Sequence, residues 1–483
     1  MRNDPERIFQ IDEEDFIVFE PPEDNKYHAD YRKLKCSTDD EFAECLVEYT
    51  DGDYKVNCVT NELLHWNGKV WEKDEKHTIC EQLLSMKSEM LEYCKEKDKL
   101  QLRKKVEKLG NNTRTKNIIQ MMANIKGDHK ITTRDLDNDD NLFNLGNGTL
   151  ELTTLEAREH RKEDLLTKKN GIDYDRTAIC QRWLGFLDAT FQGDAEVIRF
   201  VQKLFGLILT REIKEQKLYY FYGIGANGKS VLINVMQDIL GSYVENINPE
   251  YIMKNRSINI DLIERQKAKL AGKRLAIIPE VPRNKPINIA LIKQLTGEES
   301  LSSRKIYQED KTLEVKSKMI LVGNFKPYAS HDEFAFFRRM IMIPFENIVK
   351  EKDQDKDLHK NLKQELPGIL NWAIEGLRVY RVEGFKVLPK KIKEANREYQ
   401  EECDRLQDFM DSNCITGTEF KVKASELRKR YISWLKENHY EEIRVNTKDI
   451  YKQLREKGIE IKQGKGNANY CHGIGLVSED QEG

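Results

Sequence analysis

The sequence predicts an α/β core on a parallel sheet, a mostly helical region ahead of it, and a small helical unit with a terminal hairpin behind it. Three observations predict this. Apolar runs of strand length recur at Lys217–Tyr222, Arg274–Ile278, Lys318–Val322 and Met340–Pro344, with helical stretches between them. Parallel strands need such crossovers. The first run (KLYYFY) enters a glycine-rich segment, Gly223-Ile-Gly-Ala-Asn-Gly-Lys-Ser230, and an amphipathic stretch (SVLINVMQDIL) leaves it and stops at Gly241. Beyond residue 402, helical patterns at Asp404–Ser412, Ser425–Asn438 and Thr447–Lys457 precede a hairpin pattern over Ile459–Val477.

The elements follow in order. Residues 1–130 form an N-terminal accessory domain of short strand-like and charged helical pieces. Leu63–Trp71 reads as a hairpin turning at Asn67-Gly68. Thr78–Lys126 reads as helical and largely solvated. Residues 131–205 form a helical collar or oligomerisation region: a strand–turn–strand at Asn144–Leu152, then helices at Gln181–Phe191 and Glu196–Leu209. Residues 206–384 hold the α/β core, closed by a helix at Gln364–Tyr380. The charged residues 385–402 read as a linker, and 403–483 form the last unit. There, Asn446 caps the third helix and Gly458 terminates it.

Composition sets broad limits. The 483 residues are 34% charged and 39% hydrophobic, with a net charge of −3. The start is acidic (Asp12, Glu13, Glu14, Asp15, Glu20, Glu23, Asp24), whereas 421–470 carries 13 Lys/Arg against 7 Asp/Glu. A basic stretch on a near-neutral chain points to a polyanionic partner. No apolar run is long enough to span a bilayer, and the N-terminus lacks a signal peptide's apolar stretch. The nine cysteines form no CxxC pair, which argues against a zinc ribbon or redox motif and for free thiols in a reducing cytoplasm.

Gly223–Ser230 satisfies GxxxxGK[ST] between a strand and a helix, the context a phosphate cradle needs. Glycines let backbone N–H groups turn inward, and the helix start adds its positive dipole end. Gly223, Gly225, Ala226, Asn227, Gly228, Lys229, Ser230 and Val231 are therefore the expected ATP-binding residues. Lys229 would reach the β- and γ-phosphates, and the Ser230 hydroxyl would hold Mg²⁺.

Other signals separate a motor from a kinase or GTPase. Glu280 ends the apolar strand Arg274–Ile278, 51 residues after Lys229. A carboxylate at a strand end can polarise water or bind the metal, so Glu280 is the candidate general base and second Mg²⁺ contact; the alternative is an ordinary surface Glu. Asn324 follows the strand Lys318–Val322 and suits a water-positioning sensor, or merely a turn. Arg338 and Arg339 open the strand Met340–Pro344. One of them projecting from a subunit edge would act as an arginine finger on its neighbour; the alternative is a structural ion pair.

The order helix–helix–helix–hairpin in the last unit is that of a winged helix. Lys448, Lys452 and Arg455 fall at i, i+4 and i+7, on one face, and the hairpin carries Lys465. The expected use is DNA binding, with the third helix in the major groove; protein contact is the alternative.

Together, GANGKS, a strand ending in Glu280, the segment Leu291–Tyr307, a strand ending at Asn324, and two arginines before a strand resemble a superfamily 3 helicase, an AAA+-type motor. The resemblance is to the poxvirus and phage/plasmid primase-helicase branch and to initiator helicases of phage-like genomic islands. It covers residues 130–370 well, the last unit loosely, and 1–120 faintly. It implies an AAA+-type P-loop core, a hexameric ring, ATP and Mg²⁺ as cofactors, and single- and double-stranded DNA at an origin or fork as partners, with a primase or other replication proteins alongside. It also implies a pore hairpin with Lys305, Tyr307 and Lys311 as DNA contacts. One position departs from the pattern. Many members carry a second acid or a small polar residue before the catalytic Glu, and here that residue is Pro279. This leaves the metal site with Ser230, Glu280 and water.

Three functions remain open at this stage: a replication helicase or initiator that unwinds DNA as a ring; an ATP-controlled DNA-binding initiator or regulator without processive unwinding; and the helicase part of a primase-helicase. Residues 1–130 show no clustered carboxylates of a polymerising site, since Asp51-Gly-Asp53 reads as a turn.

Overall fold

The computed structural model describes residues 38–254, 265–266, 268–280, 286–297, 301–303, 311–313, 315–327, 329, 334–438, 440, 445–464 and 467–477. These residues divide into two compact units, one holding the chain up to Glu151 plus Glu156–Lys169, the other Leu152–Leu155 plus everything from Asn170. The region expected as one collar, 131–205, is thus shared between the two.

The first unit opens with α1 (Asp39–Tyr49), begun by a reciprocal capping box between Thr38 and Glu41. β1 (Tyr54–Asn57), β2 (Glu62–Trp66) and β3 (Trp71–Lys73) follow. The hairpin expected at Asn67-Gly68 is present, with Trp66 opposite Trp71. Three helices come next: α2 (Thr78–Glu96), α3 (Leu100–Val106) and α4 (Asn112–Met122). The stretch expected to be largely solvated contributes Ile79, Leu83, Met86, Met90, Val106, Ile118 and Met122 to a core shared with α1. β4 (Lys130–Ile131) completes a sheet of order β3-β2-β1-β4, and β5 (Leu142–Asn144), β6 (Thr149–Glu151) and β7 (Glu156–Arg158) form a second. Seven cysteines are free thiols. Cys45, buried in this core, is instead disulfide-bonded, a departure from the expectation of free thiols throughout.

The second unit begins with α5 (Gln181–Thr190) and α6 (Ala195–Ile208), then β8 (Leu218–Tyr222), α7 (Lys229–Leu240), β9 (Val244–Asn246) and β10 (Leu275–Pro279). After α8 (Ile289–Thr296) come β11 (Leu301–Ser303), β12 (Lys311–Leu313), β13 (Lys318–Gly323), α9 (Phe334–Phe337) and β14 (Met340–Pro344). Among the described residues the sheet is five-stranded and parallel, in the order β14-β8-β13-β10-β9. Four of its strands, β8, β10, β13 and β14, are buried along most of their length, as parallel strands are, whereas the edge strand β9 is partly exposed. Tyr220, Ala276, Ile278, Leu321 and Met342 pack on one side. On the other, Tyr219 meets the rings of Phe200 and Phe385.

The chain continues through α10 (Leu358–Lys363) and α11 (Leu366–Glu383). α6 and α11 cross at glycines. A Cβ on Gly206 would lie 2.0 Å from the Leu377 nitrogen, and one on Gly376 2.0 Å from the Gln202 carbonyl. Residues 385–402, expected as a linker, contain α12 (Lys390–Glu402). Ile392 and Tyr399 on α12 are buried, and Asn396 accepts a 2.7 Å hydrogen bond from the Met342 amide. A helix this charged overall still docks, because its few apolar residues share one stripe.

The remainder holds α13 (Arg405–Asn413), β15 (Cys414–Lys423), α14 (Ala424–Glu437), α15 (Thr447–Glu456), β16 (Glu460–Gln463) and β17 (Asn469–Leu476). The three expected helices and the hairpin are in place, and Asn446 caps α15 through the Lys448 amide. β15 was not expected. It makes the hairpin a three-stranded sheet of order β15-β17-β16. No helix among the described residues is long and apolar enough to cross a membrane.

Candidate functional site

Strand register builds the site. Pro279 of β10 stands opposite Val322 of β13, and Val322 opposite Phe221 of β8. The residues that follow these three strands therefore leave the sheet at one edge and nearly one level. They are Glu280, Asn324 and the loop from Gly223. The crevice outside the carboxyl ends of parallel strands is where α/β sheets bind ligands. Glu280 and Asn324 are both exposed there. Glu280 adopts a left-handed φ of 51°, and Ala226 in the loop one of 26°. Non-glycine residues held so cost free energy and cluster at functional sites.

The loop itself is braced. Gly223 admits no side chain, since a Cβ would lie 2.2 Å from the Phe345 carbonyl oxygen. A Cβ on Gly228 would meet the Thr190 hydroxyl at 2.9 Å and the Phe186 ring at 3.1 Å. Asn227 donates through Nδ2 to the Phe345 carbonyl at 2.9 Å, and the Val349 amide donates to the Ala226 carbonyl at 2.8 Å. The segment after β14 thus holds the loop from outside. Sequence reasoning missed this role, and nothing in the residues 345–349 themselves announces it.

Lys229 opens α7 and is only 6% exposed. Its ammonium donates to the Gly223 carbonyl and, at 2.9 Å, to Asn227 Oδ1. Burial pushes its pKa below the usual lysine value. Ser230 is exposed beside it and Val231 half-buried. The helix start, its free N–H groups and a cation turned into the loop make an anion-binding geometry.

Arg338 and Arg339 lie elsewhere. β14 is parallel to β8 with Met340 opposite Leu218, so both arginines sit at the amino end of the sheet. The loop is at the other end, five residues along the strand, or roughly 16 Å. They also differ from each other. Arg339 is 8% exposed and donates to the Thr296 hydroxyl at 3.2 Å and the Ala335 carbonyl at 2.8 Å, whereas Arg338 is exposed.

Of the expected DNA contacts, Lys448, Lys452 and Arg455 are exposed on α15, and Lys452 lies 3.7 Å from Glu456. Lys311 is in β12 opposite Ser303, in the antiparallel pair β11–β12. Lys305, Tyr307 and Lys465 lie outside the described residues.

Comparisons with known proteins show what the chain resembles. Residues 43–192 match the family described as "D5 N terminal like", and residues 221–339 match a family of unknown function (DUF5906). The "Putative helicase L207/L206" of Acanthamoeba polyphaga mimivirus is 24% identical over 364 residues, 71% of this chain and 38% of that protein. The "Putative primase C962R" of African swine fever virus (isolate Tick/Malawi/Lil 20-1/1983) is 20% identical, covering 63% of this chain and 34% of that protein. The apo structure of the NrS-1 C-terminal region (305-718) aligns over 63% of this chain and 78% of that one, at 15% identity and a TM-score of 0.39. These matches make the chain similar to viral proteins named as helicases and primases. It spans about a third of the length of the curated relatives it matches.

Proposed function

We propose that the chain is an ATP-driven DNA helicase of a replication apparatus, working as a ring around an AAA+-type P-loop core. One observation carries the reading. The loop Gly223–Ser230, Glu280 and Asn324 share the carboxyl edge of one parallel sheet, with the Lys229 ammonium turned into the loop. The loop amides and Lys229 would hold the phosphates of ATP, Ser230 and Glu280 the Mg²⁺ ion. Bound Mg²⁺ would neutralise phosphate charge as the γ-phosphoryl leaves. Glu280 would take the proton from the attacking water, and Asn324 would orient that water. Pro279, exposed before Glu280, offers no second carboxylate.

Arg338 would serve a neighbouring subunit, a role that the position of its own loop at the far end of the sheet supports. That arrangement favours a ring, for which six subunits is the family's number. Lys305 and Tyr307, between β11 and β12 in sequence, and Lys311 at the start of β12 would line its pore. The last unit, with helices, a three-stranded sheet and exposed Lys448, Lys452 and Arg455, supports a winged-helix DNA arm that includes Lys465. The African swine fever virus relative carries "primase" in its name, which favours a partnership with primer synthesis.

The test is direct. Purified protein should hydrolyse ATP faster with single-stranded DNA and separate a forked duplex, and Lys229→Ala should lose both. Hydrolysis without any strand separation would leave only an ATP-controlled DNA-binding initiator.

A further inference from the structure

The first unit carries a surface that none of the above uses. α3 and α4 are joined by the five residues 107–111, and both send side chains into one core: Val106 from α3, Ile118 and Met122 from α4. The turn between them is pinned. Gly110 adopts φ +92°, and the Lys87 ammonium donates to the Leu109 carbonyl. Arg114 at the start of α4 donates to Asp39 at 2.7 Å and to the Lys105 carbonyl at 2.8 Å, with its guanidinium 5.0 Å from the centre of the Phe42 ring. The two helices are therefore fixed relative to each other. In DNA-binding helix–turn–helix motifs the second helix is the one that meets the major groove.

Charge is segregated on this unit. From residue 99 to residue 120 the chain holds seven Lys or Arg and one acid, Glu107, and no acid occurs from 108 to 127. Lys99, Arg103, Lys104, Lys105 and Lys108 are exposed, and among the described residues Arg103 is paired with Glu107, at 2.8 Å. α1 in contrast exposes Asp40, Glu44 and Glu48. A solvated helix face usually intersperses the two signs, as the exposed face of α12 does with Lys390–Glu394 and Arg397–Glu401. The outward face of α4 reads Asn112, Thr113, Lys116, Asn117 and Gln120, at i, i+1, i+4, i+5 and i+8. It is a continuous stripe of amide, hydroxyl and ammonium groups with no carboxylate. Those are the groups that meet phosphate oxygens and purine edges in a major groove.

We propose that α3–turn–α4 is a duplex-DNA-binding element, in which Lys104, Lys105 and Lys108 grip the phosphate backbone and the Asn112–Gln120 face of α4 enters the major groove. This is a DNA contact separate from the candidate arm on α15, and it does not depend on the ATPase reading. The occupant is duplex because a rigid helix face of amides fits a groove. Single strands are held instead by aromatic stacking, and the α4 face carries no aromatic ring.

Binding of the full chain to a labelled duplex is measured across a salt series, for wild type and for a Lys104→Gln, Lys105→Gln, Lys108→Gln variant, each also in a Lys448→Gln, Lys452→Gln background. Removing three phosphate contacts should lower the slope of log K against log salt by about 2.7 and weaken binding on the order of tenfold or more. The loss should appear in both backgrounds. Asn117→Ala should weaken one preferred sequence and leave the salt slope unchanged. The substituted side chains are exposed, so unfolding midpoints should match wild type. An unchanged slope and affinity in the triple variant would overturn the proposal. So would an equal loss for single-stranded DNA or RNA, which would mean diffuse attraction rather than a groove contact.

Discussion

Asn227 donates a 2.9 Å hydrogen bond to the Phe345 carbonyl while its Oδ1 accepts one from Lys229 at 2.9 Å. One amide thus ties the lysine of the loop to the end of β14, whose other end begins beside Arg338. All three partners are buried. Replacing Asn227 by Ala leaves the Phe345 carbonyl without this donor and loosens Lys229, a cost of about 1–3 kcal/mol. Nucleotide affinity of Asn227→Ala, read by calorimetry with a non-hydrolysable ATP analogue, should fall about tenfold or more. Asn227→Asp should fare worse, because it keeps the acceptor and removes the donor. Wild-type affinity in Asn227→Ala would refute this bracing role.

Burial lowers the pKa of Lys229 from 10.5. The unfolded chain keeps the higher value, so between the two values it binds more protons than the folded one. Stability then rises with pH across that window, and below it the cost of burying the cation is present in full. Lys229→Met removes this titration and nothing else nearby that ionises there. The variant should therefore be favoured relative to wild type near neutral pH, with the difference shrinking as pH approaches 10.5. Urea unfolding of both proteins at several alkaline pH values gives that difference. A pH-independent difference would show that Lys229 is solvated in the folded chain.

The core of the site was legible because its carriers are local. Four strands are continuous apolar runs, and the loop motif lies wholly within eight residues. What was not legible depends on tertiary contact. Residues 385–402 read as a linker since charge dominates their composition. The stripe Ile392, Ala395, Tyr399 that docks α12 is only three residues long, although Pro389 before it was a usable start signal. β15 escaped because its pairing with β17 shifts register between Thr416 and Lys421, which breaks the alternation that marks a strand. Arg338 and Arg339 are adjacent and chemically alike. Only the burial of one against Thr296 and Ala335 distinguishes them.

The α6–α11 crossing gives a stability prediction independent of function. A methyl group on Gly376 would lie 2.0 Å from the Gln202 carbonyl oxygen and 2.7 Å from its carbon. These are backbone atoms of a packed helix, so no rotamer change relieves the overlap. The helices must separate, at a cost of about 3 kcal/mol, which outweighs the helix propensity gained from Ala. Gly376→Ala should lower the urea midpoint clearly. Gly185→Ala on α5, where nothing lies within 4 Å of the added carbon, should not lower it. Equal midpoints for the two variants would mean that the helices have room to move apart.

The two arginines should separate in a mixing experiment. Arg339 is buried and holds the Thr296 hydroxyl and the Ala335 carbonyl, so Arg339→Ala should cost stability, about 2 kcal/mol, in the isolated subunit. Arg338 is exposed, its backbone carbonyl taking the Lys217 ammonium at 2.6 Å, so Arg338→Ala should fold and melt like wild type. If the guanidinium of Arg338 completes a neighbour's site, that variant should bind ATP normally and hydrolyse it poorly, since a finger acts on the transition state. Lys229→Ala fails for the opposite reason, being unable to hold nucleotide while retaining Arg338. Each is inactive alone. Mixed, they form interfaces in which an intact loop faces an intact arginine, and ATPase activity should reappear in proportion to such interfaces. A double variant carrying both changes should rescue neither parent. Absence of recovery in the mixture, with assembly verified by mass measurement, would place Arg338 outside the site and remove the main reason for reading this chain as a ring.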